Sequence, residues 1–278
     1  TKGSRMKKIA VMALLALLVG ALYAEDIRVV VPYLGVATNA YQKTDPYYTI
    51  DWNDTKLMEG LYFQWINPDR FQANTFLYHS ADINYSQFWG GHLIGDFYVL
   101  SDRLGKVAVG AGFEVLRLDT DAGDAESAQY IFDLKLPLTL YAPYARAGHY
   151  FYFGSSAKVL VSVFPWLGVE YDITRGDISL VADTDGPGPG GLTPKEQSID
   201  DETLYGLTGL SLSATIMHFI ELQAKYKLTF NADDLLSTWD AMANVFFTRH
   251  CGVSYRFKYM LSTSGSTSYH IGGIAYVF

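Results

Sequence analysis

From residue 28 onward, apolar and polar residues alternate with a period of two over long windows. The clearest is Ile220–Phe230. Ile220, Leu222, Ala224, Tyr226, Leu228 and Phe230 hold one register, and Glu221, Gln223, Lys225, Lys227 and Thr229 the other. Successive side chains of a strand point to opposite faces, so this spacing predicts a β-strand with one apolar and one polar face. Gln129–Leu140 sets Tyr130, Phe132, Leu134, Leu136, Leu138 and Leu140 against Ile131, Asp133, Lys135, Pro137 and Thr139. Gly105–Leu118 sets Val107, Val109, Phe113 and Val115 against Ala108, Gly110, Gly112 and Glu114, and Gln87–Leu100 sets Trp89, Leu93, Phe97 and Val99 against His92, Asp96 and Tyr98. None of these windows carries the i, i+3, i+4 spacing of a helix.

The windows run 11 to 14 residues. Ordinary strands average about 5–6 residues, whereas tilted strands that cross a bilayer need about 9–11. Further candidates are Arg28–Ala40, Lys56–Ile66, Arg70–Ser80, Lys158–Tyr171 and Thr203–Ile216, with Pro32 and Pro165 weakening two of them locally. Asp240–Leu261 is too long for one strand and divides near Thr248–Cys251, giving Trp239–Phe247 and Val253–Leu261; Tyr269–Phe278 is the last strand. Asn67-Pro68-Asp69 and Ser101-Asp102-Arg103 read as tight turns, and Tyr41–Thr55, Ala81–Ser86, Asp119–Ala128 and Asp172–Glu202 as longer polar loops. Asp183–Leu192, rich in Gly and Pro, belongs to the last of these loops. Short turns on one rim and long loops on the other predict an all-β fold, a transmembrane antiparallel up-and-down β-barrel. An even strand count keeps both termini on one rim, and twelve satisfies it; eight or ten stay open if some segments are wall extensions. Tyr141–Ala157 reads equally as a connection or as more strand.

The N-terminal text changes the compartment. After an upstream extension, Thr1–Arg5, come Met6, the charged Lys7 and Lys8, and an apolar run, Ile9–Val19, of 11 residues. That run is too short to span a membrane and reads as a secretory signal, cleaved after Ala24 or Ala21. The expected division is extension and signal over 1–24, then one barrel over 25–278. Losing Lys2, Arg5, Lys7 and Lys8 leaves 17 basic against 29 acidic residues, a formal charge of −12. That argues against nucleic acid as the main partner and against a basic membrane-surface binder. With Cys251 alone, no internal disulfide forms. The 21 Tyr, 16 Phe and 5 Trp suit an apolar outer band with two aromatic girdles.

By parity the polar, inward set comprises His92, Asp96, Glu114, Asp133, Lys135, Glu170, Glu221, Gln223, Lys225, Lys227, Arg256 and Lys258. Lys225, Lys227, Arg256 and Lys258 form a basic wall, with Glu221, Glu114 and Asp133 opposing it. Such residues either filter solutes in a polar pore or pair with each other and fill the barrel. His92 and Asp96 share a face but stand about 13 Å apart along a strand, and no nucleophile–base pair emerges, so no enzyme is expected. The carboxylate run Asp119–Glu126 misses the spacing of a calcium loop, so neither metal nor cofactor is expected. Parity alone leaves open a soluble periplasmic barrel with its apolar face inside.

The chain ends on Ile274, Tyr276 and Phe278 in one register. An aromatic end on an alternating last strand resembles the signal read by the outer-membrane assembly machinery. With the signal segment and the long strands, the chain resembles small bacterial outer-membrane barrels of the OmpW, opacity-protein and porin-like kind. The resemblance implies residence in the bacterial outer membrane. It also implies contact with outer-membrane lipid, and delivery by periplasmic chaperones to the barrel-assembly machinery. The function it implies is a narrow passive channel for small solutes. The alternative is a non-conducting structural or adhesive barrel whose long external loops engage a ligand.

Overall fold

Twelve strands follow one another: β1 (Ile27–Asp45), β2 (Tyr48–Asn67), β3 (Phe71–Ser80), β4 (Ser86–Ser101), β5 (Gly105–Ser127), β6 (Tyr130–Ser155), β7 (Val159–Ala182), β8 (Lys195–Ile216), β9 (Ile220–Phe230), β10 (Leu235–Phe246), β11 (Cys251–Leu261) and β12 (Gly265–Val277). The computed structural model describes residues 27–45, 48–80, 86–101, 105–127, 130–155, 158–182, 195–217, 219–262 and 265–277. Side chains at 39–54, 120–136 and 178–197 lie outside that description, as do the segment 1–24, the run 183–192 and Phe278. Every strand pairs antiparallel with its chain neighbours, and β1 closes on β12 from Val29↔Val277 to Tyr41↔Gly265. Closure leaves no edge with unpaired backbone groups, the condition for a sheet to stand in lipid.

The four strand prolines show how the sheet tolerates them. Pairing of β1 with β12 skips from Val30↔Tyr276 to Tyr33↔Gly273 around Pro32. Pairing of β6 with β7 skips at Pro137, at Pro143 and opposite Pro165. A proline has no N–H to give the ladder. Each one interrupts pairing on one side while the other neighbour stays in register, as in Pro32↔Leu61 and Pro165↔Leu210.

Three expected loops are wall instead over their described residues. β1 and β2 remain paired to Asp45↔Tyr48, β5 and β6 to Ser127↔Tyr130, and β7 and β8 to Leu180↔Lys195. The polar residues 41–45, 48–55, 119–127, 172–182 and 195–202 therefore extend the barrel beyond a bilayer's thickness. Hairpin pairing satisfies their backbone, and polarity of the side chains does not prevent it. Of the ambiguous Tyr141–Ala157, the described part is strand, since β6 continues to Ser155.

The two faces differ by height. We call the rim with the β1–β2 and β11–β12 hairpins upper and the rim with the chain ends lower. Along the lower and middle wall, Leu34, Leu93, Phe97, Leu167, Leu204 and Ile274 are each more than half exposed on the outside. An exposed apolar belt of this extent suits lipid and not water. Higher up, the faces exchange character. In β5, Phe113 points out and Glu114 in, but beyond Val115 it is Leu116 and Leu118 that line the interior. Arg117 and Asp119, joined at 2.9 Å, occupy the outer register there. His79 beside Glu59 at 3.5 Å and Arg175 beside Asp200 at 3.3 Å place further charged pairs on the outer face of β2, β3, β7 and β8. The upper wall at β5 is thus apolar inside and charged outside, whereas on β2 Lys56 is buried and Leu57 stands half exposed outside.

This exchange corrects the parity expected for Gln129–Leu140. Its leucines were assigned to lipid, yet Leu140 lines the interior, and Pro137 and Tyr141 are exposed on the outside. The strand crosses the level where the bilayer face ends, so the apolar register there seeks the lumen.

Candidate functional site: the barrel lumen

Side chains alternate between the two faces of a strand, so the closed sheet brings inward residues of all twelve strands into one shared space. A cavity of about 440 Å³ occupies its upper part. It reaches the upper rim at Ser262 and Ser266, and Tyr78, Phe88, Leu116, Leu118, Leu140 and Met260 form much of its wall. Its floor carries His92, Glu114, Glu170, Lys225, Lys227 and Lys258.

Charges from facing walls meet on this floor. Glu114 of β5 lies 3.5 Å from Lys258 Nζ of β11 and 3.9 Å from Lys227 Nζ of β9. Lys227 also donates to Glu170 of β7 at 2.8 Å, and Glu170 is 3% exposed. Toward the lower rim come two forked pairs. Arg256 Nε and Nη2 donate to the Asp240 carboxylate at 3.0 and 2.5 Å. Arg256 also lies 4.3 Å from the ring centre of Phe76 and 5.5 Å from that of Tyr62. Arg146 Nε and Nη2 donate to Asp96 at 2.9 and 2.6 Å, and Gln72 and the Tyr150 hydroxyl donate to the same carboxylate at 3.1 and 2.9 Å. Guanidinium and carboxylate match as planar forks, which lets such charges sit out of water. Below them the lumen is filled by side chains, among them Val31, Tyr33, Met58, Tyr62, Phe76 and Ile271. A second cluster holds Ala108, Tyr150, Phe164, Trp166 and Leu207.

The structure places His92, Asp96, Glu114, Glu170, Glu221, Gln223, Lys225, Lys227, Arg256 and Lys258 along the inner face. The side chains of Asp133 and Lys135 lie outside the described residues. Of the carboxylates expected to oppose the basic wall, Glu114 meets it. Glu221 does not: it accepts from Asn244 Nδ2 at 3.2 Å, well below Lys225 on the same strand. Asp96 is not a partner of His92 and belongs to Arg146. Sequence reasoning missed Arg146 and Asp240. Asp240 shares the inward register with Thr238 and Met242, a signal hidden by the division of that stretch. Arg146 lay in the ambiguous Tyr141–Ala157. At the closing strand, Ile274 and Tyr276 are exposed on the outer face. Among the described residues no cluster of His, Cys, Asp and Glu could hold a metal ion.

Two lumen aromatics depend on glycine across the strand pair. Gly112 pairs with Tyr144 and Gly209 with Trp166. A Cβ at Gly112 would lie 2.1 Å from Tyr144 Cζ, and one at Gly209 2.2 Å from Trp166 Cζ2. Each ring lies over bare backbone, an aromatic covering a glycine in the neighbouring strand. Gly112→Ala and Gly209→Ala are each expected to cost about 1–3 kcal/mol through overpacking. Urea titration of the barrel refolded in lipid vesicles measures this, and unchanged midpoints would contradict the packing described.

No protein-family model matches the chain, and no curated protein does. Solved structures do. The translocator domain of the autotransporter NalP from Neisseria meningitidis matches with a TM-score of 0.57 at 14% identity, over 100% of this chain and 98% of that one. The β domain of the Bordetella autotransporter BrkA gives 0.48 at 13% identity, covering 89% and 98%. The Pseudomonas putida toluene transporter TodX gives 0.46 at 9%, covering 92% and 90%. At 14% identity what the NalP likeness shows is the fold: the chain shares the β-barrel architecture of that translocator domain.

Proposed function

We propose that the chain is a bacterial outer-membrane β-barrel that passes small solutes passively through a narrow, charge-lined lumen. The observation that supports it is a pair of cavities with part of their lining in common. The upper one, of about 440 Å³, and a second, of about 10 Å³, are both lined by Lys225 and Asp240. Tyr62, Gln223, Met242 and Arg256 complete the smaller one. About 10–15 Å³ is the space of one water, so in this reading solute passes a water-sized, charge-walled step between the two. The outer apolar belt and the closed fold support insertion in a membrane. The roles are steric and electrostatic, with no catalytic step and no cofactor. Lipid contacts the outer belt, and delivery by chaperones to the assembly machinery belongs to the same reading.

A second reading, a non-conducting barrel acting through its upper wall and hairpins, is favoured by the packed lower lumen. Single-channel recording of refolded residues 25–278 in a planar bilayer separates the two. Small, discrete, salt-dependent steps are expected. A barrel that inserts and stays silent sinks the channel and favours the second reading.

A further inference from the structure

The upper chamber ends on a cation that has lost its counter-ion. Lys227, Lys258, Arg146 and Arg256 each contact a carboxylate. Lys225 makes no ion pair and no hydrogen bond among the described residues. Its cross-strand neighbour Asp240 is gripped by both arms of Arg256. Lys225 is part of the lining of both cavities. The upper part of the larger one is walled by leucine and aromatic side chains. A cation held out of bulk water without a partner is costly, and a bound anion relieves that cost.

We propose that the chamber binds a compact organic monoanion, a carboxylate on an alkyl or aryl body, with its charged end on Lys225 and its body against Leu116, Leu118 and Leu140. The cavity size falls within the range of about 300–1,000 Å³ that holds small-molecule ligands. Apolar wall supplies area and one ammonium supplies orientation. Binding needs only the chamber, so it stands whether or not the lumen conducts.

The test is calorimetric titration of the full barrel in lipid nanodiscs with 2-naphthoate, 2-naphthamide and 2-naphthylmethylammonium, with empty nanodiscs as the blank. Saturable binding of 2-naphthoate is expected, about tenfold or more tighter than the neutral amide. Lys225→Met is expected to remove that preference and Lys225→Arg to keep it. Leu140→Gln, a wall variant that leaves the charges in place, is expected to weaken naphthoate and amide alike. Equal affinity for anion and amide, preference for the ammonium, or an unchanged preference in Lys225→Met would each overturn the assignment. Heat-modifiable migration on a gel reports folding of each variant; should Lys225→Met fail to fold, the charge preference of the native barrel and of Lys225→Arg decides.

Discussion

Asp240→Ala is expected to destabilise the barrel by about 3–5 kcal/mol, the cost of leaving a buried charge without its partner. Arg256 is 2% exposed, and Asp240 takes both of its forked donors. Without that carboxylate the guanidinium keeps only the faces of Phe76 and Tyr62, and these do not replace an ion pair. Lys225, across the strand pair from Asp240, would add like-charge repulsion. The converse change, Arg256→Met, is expected to cost less, because Lys225 stands ready to take the freed carboxylate. Replacing both partners, Asp240→Leu with Arg256→Met, is expected to cost less than Asp240→Ala, since neither member of the pair is then left without the other. Urea unfolding in lipid vesicles orders the three variants. Asp240→Ala within about 1 kcal/mol of the native barrel would mean that the pair is not buried as described.

Leu167→Arg carries the second large effect. Leu167 is 68% exposed and lies inside the outward run of β7 between Val159 and Tyr171. An arginine at the middle of the lipid face costs about 2–4 kcal/mol, and near the interface about 0–1. Gln87→Arg provides the interfacial control. Gln87 contacts His79 and pairs in register with Asp119, where the outer face is already polar. The contrast between the two sites is the readout. In a water-soluble barrel the order reverses, because Leu167→Arg would then replace an exposed leucine with a solvated charge. Equal stability of the two variants would overturn the membrane reading.

The strand windows were legible because alternation is a local property. Ile220–Phe230 coincides with β9, and the break proposed near Thr248–Cys251 separates β10, ending at Phe246, from β11, starting at Cys251. The wall extensions were hidden. Tyr41–Thr55 has the composition of a loop, and only the pairing of residues 41–45 with 48–52 makes those residues wall. Parity assigned an inner and an outer register to each strand, but it assumed that apolar means outward at every height. That holds for Phe113 and fails at Leu116 and Leu140. The reversal is written in β5 as Phe113-Glu114-Val115-Leu116-Arg117-Leu118-Asp119, although nothing local says where the bilayer ends.

What the sequence determined by itself is a run of long amphipathic strands with a polar register, since side-chain direction in a strand follows from spacing alone. What the tertiary structure decided is which charges meet. Glu114 and Lys258 are 144 residues apart and come together only because the barrel closes. Arg146 finds Asp96 and Arg256 finds Asp240 through strand register, and Lys225 is left over by the same arithmetic. Pairing among buried charges depends on distances across a lumen, and those distances do not exist until twelve strands have joined edge to edge.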